Sequence, residues 1–165
     1  MKRLAGAVGV LAVLSAPCWA GTYQLIDRFD SAADLGETAL YLDESSVLPV
    51  ADGRKVADLV SVNSYNRQVS VFSVQVECSQ HAWRVMQVTD FEIDRMIAPH
   101  LRPSLDPPAF TPQEAGTEGG KAVALLCGGG AGTAVRVQAD DAIDLSKRVA
   151  SGLKRPAQDD AGISR

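Results

Sequence analysis

The chain has 165 residues, with 16 Lys and Arg against 20 Asp and Glu, a formal charge of −4. That length bounds it to one ordinary domain. The acidic balance argues against a nucleic-acid partner, and no polybasic stretch offers a hold on anionic lipid.

Met1-Lys2-Arg3 is a short basic segment, Leu4 to Leu14 is apolar, and Cys18-Trp19-Ala20 ends in a small residue. This is the pattern of a secretory signal peptide over residues 1–20, with cleavage expected near Ala20. The apolar run is well short of the roughly 20 residues that a spanning helix needs, so no membrane span is expected in the mature form. Cys18 also invites a lipoprotein reading, but Pro17 stands before it where a small residue is wanted. Cleavage removes Lys2 and Arg3 and no acidic residue, which moves the charge from −4 to −6. The expected organisation is a single domain over 21–155 and a disordered tail over 156–165.

Within the domain, Tyr23–Asp27 reads as a first strand, Arg28–Glu37 as a polar loop and Thr38–Asp43 as a second strand. Asp52-Gly53 is a strong turn signal, so Val47–Val50 is expected to hairpin into a strand starting at Val56. Val56–Tyr65, Val69–Cys78 and His81–Phe91 alternate valines and aromatics with polar residues, the mark of half-buried strands. Asn66-Arg67-Gln68 and Ser79-Gln80 are the turns between them. A helix is the competing reading, but no stripe at helical spacing runs through this valine-rich stretch.

Beyond Phe91 the alternation stops. Pro99, Pro103, Pro107, Pro108 and Pro112 crowd Asp94–Pro112, which predicts a surface excursion and no central strand. Thr117–Cys127 is apolar near its end and reads as either helix or strand. Gly128 to Thr133 superficially resembles a phosphate loop, but lacks the Gly-Lys-Ser/Thr ending and reads as a flexible linker. Ala134–Val137 suits a short strand. Ala139–Lys154 is the best helix: aspartates crowd its start, Lys and Arg its end, and Ile143, Ala150 and Leu153 share one face. Docking on the sheet is its expected role, and Pro156 stops it.

With Cys18 removed, Cys78 and Cys127 are the two remaining cysteines, and an even pair in an exported domain reads as a disulfide. Chain-entropy reasoning gives about 4 kcal/mol for closing a loop of about 50 residues.

Little else carries chemistry. His81 lies near Ser79 and Asp90, but no Gly-x-Ser-x-Gly elbow is present, and Asp90 is about 30 Å along an extended strand. His100, among prolines, reads as a surface residue. Asp90, Glu92 and Asp94 share one strand parity and in principle suit a weakly held divalent cation, though a solvated strand edge explains them better. Trp83 and Tyr65 fit a core or interface better than a sugar platform. Nothing supports paired carboxylates for glycoside cleavage. The expectation is a protein that is not an enzyme, with no catalytic, metal or cofactor-binding residues.

Several stretches together resemble the bacterial surface-adhesin E family of small exported domains. They are Tyr41-Leu42-Asp43-Glu44-Ser45-Ser46-Val47, the Asp52-Gly53 turn, the Val56–Tyr65 strand, Val74-Gln75-Val76-Glu77-Cys78, Trp83-Arg84-Val85 and the later Cys127, spanning roughly residues 23–127. The resemblance implies an antiparallel sheet with a helix packed on it, a Cys78–Cys127 bridge and an envelope location. It also implies adhesion to host or matrix proteins. The Pro-rich 99–112 segment and the Gly-rich 128–132 segment have no counterpart in that pattern.

The resulting expectation is an α+β fold: an antiparallel sheet of about five or six strands, a C-terminal helix packed on it and one disulfide. In function it is an exported envelope protein in periplasm or at the cell surface, with a binding or structural role and a protein as the partner to look for. Alternatives are a surface adhesin and a periplasmic hydrolase with an unrecognised site.

Overall fold

Alternating β-branched residues favour extended backbone, and in the computed structural model they build one antiparallel sheet. The structure describes residues 20–30, 36–64, 68–92, 95–103, 108–129 and 133–154, and the backbone alone for 92 and 95–103. The signal peptide through Trp19, Tyr65 with the Asn66-Arg67 turn, Asp94, Pro107 and the 156–165 tail lie outside the described residues.

The strands are β1 (Gly21–Asp30), β2 (Glu37–Asp43), β3 (Leu48–Pro49), β4 (Arg54–Asn63), β5 (Gln68–Glu77), β6 (Ala82–Glu92), β7 (Arg95–Pro103), β8 (Thr111–Pro112) and β9 (Arg136–Ala139). They lie in the order β7-β6-β5-β4-β2-β1-β9, with β3 beside β4 and β8 beside β6. Nine strands among the described residues correct the expectation of five or six. One of the additions, β8, is only two residues long, as is β3, the strand expected over Val47–Val50 that pairs with β4. Another, β7, comes from the Pro-rich segment.

That segment is therefore more regular than its composition predicts, and the reason is its position. β7 is the last strand on its side of the sheet, where a missing backbone donor need not break a ladder. Pro99 falls in a register break between the Asp90–His100 and Glu92–Arg95 pairs, and Pro103 ends the strand.

The two helices are α1 (Glu118–Leu126) and α2 (Ala142–Val149), the latter extended by a 3-10 turn over Ala150–Gly152. They pack on opposite faces. Ala39 and Tyr41 of β2 join Leu145, Val149 and Leu153 in one apolar cluster. Leu40 and Leu42, pointing the other way, join Ala122, Val123 and Leu126 in a second. Hence Thr38–Leu42 is buried without interruption, as expected of a strand covered on both sides. The single packed helix of the sequence reading becomes two, because the undecided Thr117–Cys127 stretch is the second one.

Local chemistry fixes the helix ends. Thr117 Oγ1 accepts from the Gly120 N–H at 3.0 Å, an N-cap. A Cβ at Gly120 would fall 1.9 Å from the Glu114 carbonyl oxygen, so only glycine fits. At the other end Gly128 takes φ +78°, and the N–H groups of Gly128 and Gly129 return to the carbonyls of Leu125 and Ala124. This left-handed stop satisfies the last carbonyls. The first two glycines of the expected linker are thus a helix terminus, and Thr133 at its end is tied to Leu25 O at 2.5 Å. Residues 130–132 lie outside the described residues.

α2 starts later than its charge pattern suggests. Ala139 pairs with Gly21 in the sheet, and Asp141 caps the helix by accepting from the Asp144 N–H at 2.7 Å.

Cys78 follows β5 and Cys127 follows α1, and the two form a disulfide with a Cα–Cα separation of 5.5 Å. The bridge ties the end of the central hairpin to the helix on the second face.

Candidate functional site

α2 packs against Val60, Val62 and Val69. Continuing on the same face toward the Cys78 end, the residues turn polar. Cross-strand pairs place Asp58 beside Ser73, Val56 beside Gln75 and Arg54 beside Glu77. The next strand sets Arg84 beside Gln75 and Ala82 beside Glu77. None of these residues belongs to the apolar cluster beneath α2. Apart from the small, buried Ala82, they are half-buried.

Phe110 closes one side of this open half. β8 pairs Thr111 with Trp83 and Pro112 with Ala82, and the Gln113 N–H donates to His81 O at 2.9 Å. That register brings Phe110 to the position beside Arg84. The Arg84 guanidinium carbon lies 4.6 Å from the ring centroid and that of Arg54 5.1 Å. Two cations thus share one aromatic ring, a favourable but modest interaction.

Their polar partners differ. Arg54 Nε meets Glu77 Oε2 at 3.3 Å. Arg84 donates from Nε at 2.8 Å and Nη2 at 2.5 Å to one neutral oxygen, Gln75 Oε1. No carboxylate among the described residues neutralises Arg84. Beside them, Ser73 Oγ donates to Asp58 Oδ1 at 2.6 Å.

The opposite border of the face is acidic. The Tyr23 phenol is pushed up to about 12, first by burial and then by the carboxylates of Asp43, Asp141, Asp58 and Asp144. Tyr41 is also raised by burial, with Arg28 opposing the shift. The face therefore grades from negative near the start of α2 to positive beside Phe110.

Residues singled out from the sequence are distributed otherwise. Ser79 is exposed and its Oγ contacts Glu77 Oε1 at 3.4 Å. His81 stands just before β6 in a left-handed conformation, φ 49°. Its Nε2 is buried without a hydrogen-bond partner among the described residues. Asp90 lies near the far end of the same strand, accepting from Ser70 Oγ at 2.7 Å. The three do not assemble into a triad.

No three His, Cys, Asp or Glu side chains converge as metal ligands among the described residues. Asp94 and the side chains of Glu92 and His100 lie outside them. Trp83 packs against the cluster beneath α1, as a core residue does. No helix among the described residues is long and apolar enough to cross a membrane.

Sequence reasoning missed Arg54, Gln75, Arg84 and Phe110 as a group. A signal for three of them exists: polar residues recur at one parity of strands whose other parity is apolar. Phe110 carries none, since its place depends on the β8 pairing. Comparison of the chain with protein-family models, curated proteins and solved structures finds no match.

Proposed function

We propose that this chain is an exported, non-enzymatic binding domain of the cell envelope, of the surface-adhesin E kind, that binds through the open half of the α2-bearing face. The observation that carries the reading is the Cys78–Cys127 disulfide, because such bridges persist in oxidising compartments. The basic, then apolar, then small-residue pattern of residues 1–20 supports the same destination. The open half offers guanidinium, amide and aromatic groups, with the Ser73–Asp58 contact beside them. Those groups suit recognition better than bond-making.

The test is expression from the native start, followed by fractionation and intact-mass measurement. The expected product is exported, begins at Gly21 and weighs two hydrogens less than the reduced chain. A cytosolic product that keeps Met1 and three titratable thiols refutes the reading.

A further inference from the structure

We infer that Arg84, held by Gln75 and Phe110, is the receptor for a single oxyanion, a carboxylate or phosphate group of the bound partner. This deepens the binding reading above and rests on its choice of face.

A guanidinium has five N–H donors arranged as two parallel forks. Gln75 Oε1 takes the Nε edge of Arg84, at 2.8 Å to Nε and 2.5 Å to Nη2. The Phe110 ring lies against the group, 4.6 Å from the guanidinium carbon to the ring centroid. Position and orientation are thus set from two directions, and the Nη1–Nη2 edge remains as a preformed fork. Two parallel donors of that spacing match the two oxygens of a carboxylate or phosphate.

The charge state points the same way. A half-buried cation whose polar partner is an amide gains more from an incoming anion than one already paired. Arg54, with its single 3.3 Å contact to Glu77, is the compensated neighbour. Ala82, opposite Glu77, is small enough to leave room above the sheet for both side chains to reach one ring. Net negative charge elsewhere, with Asp43 and Asp58 on the same face, disfavours a polyanion and favours one isolated acidic group.

The experiment is an NMR titration of the purified, oxidised protein, following the arginine Nε–Hε and Phe110 ring signals. Sodium acetate and inorganic phosphate are added separately, at ionic strength held constant with sodium chloride. The Arg84 signal is expected to move saturably, and the tighter of the two ions names the source, carboxylate or phosphate. Arg84→Lys keeps the charge and loses the fork, so it should weaken binding about tenfold or more, with circular dichroism unchanged. Phe110→Leu, which removes the backing ring, should weaken it less.

Shifts that stay linear with both ions, or an Arg84→Lys protein that binds as tightly as the parent, overturn the inference. Export and oxidation of the chain are read in a separate assay, so failure here leaves the localisation result standing.

Discussion

Reducing the Cys78–Cys127 bond is the perturbation with the largest expected effect. The two cysteines are 49 residues apart. Opening that loop gives the unfolded chain about 14 cal/mol/K more entropy, or about 4 kcal/mol at 25 °C. Whole domains are stable by about 5–15 kcal/mol, so this is a large share. For a domain of about 130 residues the unfolding entropy is about 0.27 kcal/mol/K, and the Tm should fall by about 15 °C. The packing change is small, since both cysteines stay against the cluster beneath α1. The effect therefore lies mainly in the unfolded state. Guanidinium unfolding followed by circular dichroism, with and without reductant, should show a lower midpoint and a steeper slope, because the opened chain exposes more surface. Thiol titration must confirm two free cysteines. If it does and the midpoint has not moved, the covalent tie contributes nothing to stability and the loop-entropy reasoning is wrong.

Other expectations follow from single contacts. Gly120→Ala forces a methyl to 1.9 Å from a backbone oxygen and should cost about 3 kcal/mol; Gly152→Ala, with no atom within 4 Å, should leave the Tm nearly unchanged. Lys55→Met removes the 2.6 Å bond from Nζ to the Leu126 carbonyl at the end of α1, for a loss of about 1 kcal/mol and faster amide exchange in that helix. The Asp144 carboxyl is lowered, first by the Asp140 N–H and then by Arg148. Its stabilisation is present above the ordinary carboxylate range and is lost as pH falls through the depressed value, so Asp144→Asn should flatten the acid limb of a stability–pH curve. Tyr23 is raised to about 12, so its stabilisation is complete below about 10 and is lost between about 10 and 12. Tyr23→Phe should remove that alkaline loss, and absorbance near 295 nm should register one late-titrating phenol fewer than in the parent, where Tyr41 is raised as well.

The β4–β6 meander was legible because alternation survives wherever one side of a strand is more buried than the other. It fails in β2, where Thr38–Leu42 is buried on both sides and the pattern blurs into a continuous apolar run. Parity also misleads in β6. The register shift opposite Ser73 and Val74 leaves Met86 without a partner, so Trp83 and Val85 face α1 while Phe91 faces α2. All three are odd-numbered, and counting by two places them together. α1 stays undecided in the sequence because Ala122–Leu126 is apolar throughout and shows no period, while Gly119 and Gly120, poor helix formers, stand in its first turn. Those glycines are there for close approach, a tertiary demand that local propensity does not register. The disulfide, resting on a count of two, was readable; the Arg84–Gln75–Phe110 arrangement was only half so. Register gives the first pair, but the aromatic arrives through a two-residue strand embedded among prolines.

Element lengths explain why an open half of the sheet exists at all. β4 and β5 have ten residues each, about 33 Å of extended chain. α1 and α2 have nine and eight, about 13 Å apiece. One short helix per face leaves part of each face uncovered, and an apolar remainder would invite association. The chain fills it with polar pairs: Ser70–Asp90 and Asn63–Thr38 on the α1 side, and Ser73–Asp58 and Gln75–Arg84 on the α2 side. Three of these four pairs are neutral or satisfy a carboxylate with a hydroxyl. Gln75–Arg84 instead leaves a cation oriented and unneutralised beside an aromatic ring, which solubility alone does not require. That excess over what a solvated sheet needs is the physical reason for assigning recognition to the α2 side.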